Sequence, residues 1–304
     1  MQTYEKKMPA EAVDLYTRFI HGEISRRAFG EGVKKFAVAG LTTTAIIEAL
    51  MPNYALGQQV AKDDERIKVS YETIPSPDGH GSIRGYLARP FSADTRSATA
   101  TKLPAILVIH ENRGLNPHTE DVARRFALEN FMAFAPDALT TVGGYPGDDY
   151  KGGVAFAKLD GAKRTQDFVA AARWLKARAD CTGKIGVTGF CFGGGMSNTL
   201  AGLLGAEVAA VAPYYGGATP PANVPNVKAA VLIHHGALDT NAANNYPAQE
   251  AELKKNNVRY EGHIWPNSVH GFFNDATPER YNRTTAEASW TRTIEWFNQY
   301  VRAG

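Results

Sequence analysis

Gly189-Phe190-Cys191-Phe192-Gly193 is where the sequence first points to chemistry. The run Ile185–Thr188 before it reads as a strand and the stretch after it as a helix. Between them, glycines stand two residues either side of a central side chain, the G-x-nucleophile-x-G turn. Such a turn is strained and pushes its central side chain into the open, while the glycines let strand and helix approach each other. Serine usually holds the centre; here it is Cys191. The helix N-terminus behind it favours negative charge, which predicts a lowered thiol pKa and a thiolate. The competing reading is a small buried cysteine in a Gly-rich turn, since cysteine is among the most buried residue types.

A cysteine nucleophile needs a base and an acid to orient that base, in the chain order nucleophile, acid, histidine. Asp239 lies 48 residues after Cys191, in His235-Gly236-Ala237-Leu238-Asp239. His270 follows 31 residues later, in Pro266-Asn267-Ser268-Val269-His270-Gly271-Phe272. Each falls just past a predicted strand, at the carboxyl edge of the sheet where open α/β folds place their sites. Taken singly, Asp239 reads as a loop cap and His270 as a surface residue. Taken as an ordered set they read as the partners of Cys191. An oxyanion pocket in such a fold uses the N–H after the nucleophile, that of Phe192, and one from the loop after an earlier buried strand. That loop is His110-Glu111-Asn112-Arg113-Gly114. Glu111 is unusual there, because glutamate is rarely buried unless paired; the plainer reading pairs it with Arg113 or Arg124. His235, Asp239, His263 and His270 lack the spacing of a zinc site, so neither metal nor organic cofactor is expected.

The elements that must position these residues follow from the hydrophobic pattern. Ile67–Ile74 and Ile83–Ala88 alternate around Ser76-Pro77-Asp78-Gly79, which predicts an antiparallel hairpin at a sheet edge. Leu103–Ile109 is continuously apolar, as a strand buried on both faces would be. Further strands are predicted at 131–135, 185–188, 208–212, 229–234 and 259–264. Helices are predicted after Asn116-Pro117, at 164–178, 194–204 and 248–256, and from Thr285 to Val301. The segments 91–102 and 136–153 read as loops. Strands alternating with amphipathic helices specify one mostly parallel sheet covered on both faces.

His110-Glu111-Asn112-Arg113-Gly114-Leu115-Asn116-Pro117, Ala135-Pro136-Asp137, Gly189-Phe190-Cys191-Phe192-Gly193-Gly194, Asp239 and His270-Gly271-Phe272 together resemble the dienelactone hydrolases. The resemblance spans Ile67 to Val301. It implies an α/β-hydrolase fold and a Cys-His-Asp triad cleaving esters and lactones through a thioester. It also implies that Glu111 pairs with Cys191 at rest and takes its proton, and that Phe192 and Asn112 donate to the oxyanion. Dienelactone cleavers of the family hold a substrate carboxylate with two arginines. At the matching places this chain has Leu139-Thr140-Thr141 and Asn274. Losing those charge-assisted hydrogen bonds, about 1.5–3 kcal/mol each, predicts a preference for neutral esters or lactones. Arg113 and Asn274 are then the residues left to contact substrate.

Residues 1–60 differ from the body, which is taken as one domain over 61–304. Ser25-Arg26-Arg27-Ala28-Phe29, a mildly apolar run from Phe36 to Leu50, and Tyr54-Ala55-Leu56-Gly57 outline a twin-arginine export signal with a mature start near Gln58. The run is too short, and its Glu48 too polar, for a permanent membrane span. Ala10–Ile20 has helical periodicity, so the alternative is a helical extension packed on the body or joining chains into a homo-oligomer, with a cytoplasmic protein.

The 304 residues carry 33 Lys+Arg against 31 Asp+Glu and are 44% hydrophobic. The hydrophobic content excludes a disordered chain, and the balanced charge gives no footprint for nucleic acid. Two cysteines exclude a disulfide scaffold, and Cys181, at the far end of its strand from Cys191, cannot bridge to it. Two rival readings share the fold: a small-molecule-binding protein without turnover, and a thiol redox protein.

Overall fold

The computed structural model describes residues 8–37, 42–91 and 102–302. The polar loop expected over 91–102 falls, but for its two ends, outside them, as does part of the apolar run 36–50. The N-terminal segment forms α1 (Ala10–Ile20), α2 (Arg26–Lys34), α3 (Thr43–Leu50) and the single turn α4 (Tyr54–Gly57). The body follows as β1 (Ile67–Ser76), β2 (Gly81–Pro90), β3 (Leu103–Ile109), α5 (Pro117–Leu128), β4 (Met132–Asp137), α6 (Asp149–Phe156), α7 (Gly161–Ala177) and β5 (Cys181–Phe190). It closes with α8 (Phe192–Leu204), β6 (Ala210–Tyr214), β7 (Ala230–Gly236), α9 (Thr240–Lys255), β8 (Tyr260–Trp265) and α10 (Arg283–Phe297).

The eight strands form one sheet in the order β1-β2-β4-β3-β5-β6-β7-β8. The β1–β2 and β2–β4 pairs are antiparallel, and from β4 onward all neighbours run parallel. One face packs Phe168, Leu175, Leu200 and Leu253 from α7, α8 and α9 against the strands. The other packs Val122, Phe126, Trp296 and Phe297 from α5 and α10. The expected α/β architecture, with its antiparallel hairpin and helices on both faces, is the one observed.

Differences are local. The 136–153 loop contains the start of α6, capped by Asp148, whose Oδ1 accepts from Lys151 N–H at 2.8 Å. Helix α9 begins eight residues before the sequence suggested, because Asp239 caps it and Pro247 is tolerated inside it.

The N-terminal helices have a small core of their own, built on Tyr16, Phe29, Val33, Ile46 and Leu50, which also meets Val269 of the body. Phe19 stacks on Phe29 and on Tyr150 of α6, with ring centroids 4.8 and 5.6 Å apart. This segment therefore lies on the carboxyl edge of the sheet. Among the described residues, no helix is long and apolar enough to cross a membrane.

Candidate active site

Cys191 stands between β5 and α8 with φ 55° and ψ −111°, a strained conformation for a residue with a side chain. Its N–H donates to Tyr214 O at 3.1 Å, and its carbonyl accepts from Gly195 N–H at 3.1 Å. The glycines are a steric necessity. A Cβ on Gly189 would lie 2.3 Å from Gly193 O, and one on Gly193 would lie 2.2 Å from Ile109 O. Phe192 opens α8, so its N–H has no partner within the helix.

Asp239 and His270 arrive from the ends of β7 and β8. Asp239 Oδ2 lies 2.6 Å from His270 Nδ1, while Oδ1 accepts from Ala242 N–H and caps α9. A ring nitrogen of His270 lies within 4.8 Å of Cys191 Sγ, and the buried Nε2 has no hydrogen-bond partner. Burial pushes the Cys191 thiol up, but the His270 charge and a hydrogen bond to His21 outweigh it and bring the pKa down to about 6. For His270, burial acts downward and the Cys191 charge and Asp239 act upward, leaving it at about 10. Both shifts favour a thiolate beside an imidazolium. The lowered thiol pKa matches the sequence expectation in direction, but two histidines lower it, where the sequence pointed to the helix N-terminus.

The loop after β3 is pinned from beneath. His110 Nε2 accepts from Ala138 N–H at 3.1 Å, so its Nδ1–H is free to donate to Glu111 O. Glu111 is buried, and its carboxylate lies 3.9 Å from Arg113 Nε; no hydrogen bond joins it to Cys191. Burial raises its pKa, but the charges of Arg113, Arg280, His118 and His270 prevail and hold it below the usual value. The resting Glu111–Cys191 hydrogen bond implied by the resemblance is not formed; the Glu111 carboxylate stands 3.9 Å from the Arg113 guanidinium instead.

Two expected substrate contacts are corrected. Arg113 is 3% exposed and spent on Asp149, with Nη1 3.2 Å from Oδ2, while Oδ1 of the same carboxylate accepts from Tyr54 and Tyr145. Asn274 is 1% exposed, and its Oδ1 accepts from Ala276 N–H at 3.1 Å to close a turn. Neither lines the pocket of about 380 Å³ at Cys191, whose walls include Phe192, Met196, Thr199, Tyr215, Gly216 and Asn241. The Asn112 side chain is taken up by the N-terminal segment: its Nδ2 donates to Ile20 O at 2.9 Å, fastening α1 to the site loop.

The set His235, Asp239, His263 and His270 is not brought together as a metal site. His263 bonds Glu261 at 2.7 Å, away from the others. Among the described residues the cluster of possible donors is His21, Cys191 and His270, all within 4.8 Å.

Three neighbours went unnoticed in the sequence. His21 Nε2 is 3.3 Å from Cys191 Sγ, and its ring meets His270 edge-on with centroids 4.6 Å apart. Tyr215, with φ 38°, packs its ring 5.0 Å from that of His270. Arg280 is buried beside Gly271 and over the ring of Tyr16. A Gly after a helical run marks the end of α1 at His21, but nothing local ties that end to the nucleophile.

The sequence profile of the Dienelactone hydrolase family matches residues 83–301. An Escherichia coli (strain K12) protein named "Putative carboxymethylenebutenolidase" is 30% identical over 260 residues, covering 79% of this chain and 90% of its own. Another from the same organism, named "Putative hydrolase fragment YghX", is 52% identical over 112 residues, covering 37% of this chain and 91% of its own. The solved dienelactone hydrolase of Anabaena variabilis superposes with a TM-score of 0.59 at 21% identity, over 78% of this chain and 99% of that one. The chain belongs to the dienelactone hydrolase family, hydrolases of the α/β-hydrolase fold that act on esters or lactones.

Proposed function

We propose that the protein cleaves neutral carboxylic esters or lactones through Cys191, His270 and Asp239. The observation that carries this reading is the alignment of three side chains at a strained turn on the carboxyl edge of the sheet: Asp239 Oδ2 lies 2.6 Å from His270 Nδ1, and the imidazole lies within 4.8 Å of the Cys191 sulfur. The Cys191 thiolate attacks the carbonyl carbon and forms a C–S bond. The carbonyl electron pair moves to oxygen, which the N–H groups of Phe192 and Asn112 receive. Collapse breaks the C–O bond, and the departing alkoxide takes the proton from His270 Nε2. The neutral imidazole then takes a proton from water as its oxygen attacks the thioester. Collapse of that second intermediate expels the thiolate and releases the acid. Ester and water become acid and alcohol, and the thiolate–imidazolium pair is restored. His270 is the base in this scheme; Glu111 contributes fixed negative charge near it.

Among the described residues no arginine or lysine lines the 380 Å³ pocket, Leu139 is buried in the core, and Arg18 and Lys35 of the adjoining cavity of about 1050 Å³ are paired with Glu23 and Glu11. These facts favour a neutral acyl group over an anionic lactone. The test is a panel of p-nitrophenyl esters, neutral lactones and dienelactone against wild type and Cys191→Ala. Neutral esters are expected to have the higher kcat/KM, and a higher value on dienelactone overturns the substrate claim.

Export by the twin-arginine route is a second part of the proposal. Arg26 and Arg27 are exposed at the start of α2, where a receptor could reach them. Intact mass of protein from the native host decides it: a start near Gln58 supports export, and an intact Met1 removes it.

A further inference from the structure

We propose that His21 is a positioning residue for Cys191, carried to the nucleophile by the N-terminal helix, and that this segment is part of the active site. The inference rests on the reading of Cys191 as nucleophile.

The placement of His21 is built into its own sequence. Helix α1 ends in a left-handed glycine, Gly22 at φ 77°. Glu23 N–H closes back on Arg18 O at 3.0 Å and Gly22 N–H on Phe19 O at 3.0 Å, a Schellman pair that stops the helix at His21. Around this end the segment is held at several points. Asn112 Nδ2 grips Ile20 O at 2.9 Å, Phe19 stacks on Tyr150, and the Arg280 guanidinium lies 5.2 Å from the centre of the Tyr16 ring. The imidazole is left with Nε2 3.3 Å from Cys191 Sγ.

The chemistry gives that contact a task. The sulfur carries negative charge twice in each cycle, before attack and when it leaves the thioester. His270 cannot serve it throughout, because its Nδ1 is committed to Asp239 and its Nε2 must pass a proton to the leaving alkoxide and take one from water. A second N–H on the sulfur stabilises the charge without taking part in the proton transfer. The other titratable or charged groups nearby are the Arg18–Glu23 pair at the end of α1, Glu111 after β3, Tyr215 after β6, Asp239 after β7, and Arg280 between β8 and α10. None of these hydrogen-bonds the sulfur. A consequence concerns residues 1–57: a mature start near Gln58 removes His21, so that outcome of the intact-mass measurement supports export and overturns a role for His21 in the mature enzyme.

The experiment uses the full chain. The rate of Cys191 alkylation by iodoacetamide and kcat/KM on a p-nitrophenyl ester are followed against pH for wild type, His21→Ala and His21→Gln, with Cys191→Ala as blank. Melting temperatures are measured alongside. His21→Ala is expected to move the acid-side midpoint of both profiles up by about one pH unit, a tenfold change in thiolate fraction below the midpoint. His21→Gln, which keeps an N–H donor, recovers at least half of that shift. Coincident midpoints for wild type and His21→Ala overturn the proposal, as do equal shifts in the Ala and Gln variants. Hydrolysis surviving in Cys191→Ala would instead overturn the nucleophile reading beneath it.

Discussion

One carboxylate of Asp239 serves two neighbours: Oδ2 holds His270 Nδ1 at 2.6 Å, and Oδ1 caps α9 through Ala242 N–H at 3.2 Å. The end of β7, the start of α9 and the orientation of His270 are thereby fixed together. This double use separates two substitutions. Asp239→Asn keeps a good helix cap and an acceptor for Nδ1–H but loses the charge that favours imidazolium. Its kcat/KM is expected to fall by roughly 100-fold or more, with little change in melting temperature. Asp239→Ala loses the cap as well and should cost about 1 kcal/mol of stability on top of the activity. Equal thermal stability of the two variants would separate the cap from the fold.

The pH dependence follows from the paired shifts. Cys191 is lowered to about 6 and His270 raised to about 10, so thiolate and imidazolium coexist between those values. Acidification through about 6 protonates the sulfur, and alkalinisation through about 10 removes the imidazole proton. Thiolate absorbance near the far ultraviolet edge, recorded as wild type minus Cys191→Ala, should therefore appear with a midpoint near 6. A midpoint in the ordinary thiol range would contradict the ion pair.

The acidic limb of stability is set partly elsewhere. Burial would raise the Asp275 pKa, but His118 and Arg125 overcome this and bring it down to about 2. A carboxyl depressed in the folded state stabilises fully above its unfolded pKa and loses that contribution as pH falls through the folded one. The contribution is about 2 kcal/mol, lost between about pH 4 and pH 2. Asp275→Asn should lower the melting temperature at neutral pH and flatten its fall across that window.

Gly193→Ala should be among the most damaging small substitutions, because its methyl would meet the backbone of Ile109 at 2.2 Å. A cost of about 3 kcal/mol or more is expected, read as denaturant midpoint. Gly30→Ala, in α2 with nothing within 4 Å of the added carbon, should instead leave stability unchanged or slightly raised.

The legible parts of the sequence were those whose signal is local. Leu103–Ile109 could only be a doubly buried strand, Asn116-Pro117 only a helix start, and the glycine spacing around Cys191 records a backbone contact with β3. Asp239 and His270 could be expected as partners because each follows a strand of one parallel sheet. What escaped was long-range. His21 meets Cys191 across 170 residues, and an export-like composition drew attention away from the packing of that segment. Arg113 looked like a substrate contact because an arginine in a site loop is free until Asp149, from a helix read as loop, is seen to take it. Likewise Glu111 matched its family position, while the charge that sets its state comes partly from Arg280, which no spacing rule connects to it.

The central claim is that an acyl group passes through the Cys191 sulfur, and rapid-quench intact mass spectrometry on a p-nitrophenyl ester tests it most directly. Wild type is expected to gain the mass of the acyl group during turnover, mapped to the peptide carrying Cys191, while Cys191→Ala gains nothing and turns over no ester. Steady hydrolysis by Cys191→Ala, or an acyl group found on another residue, would contradict the account.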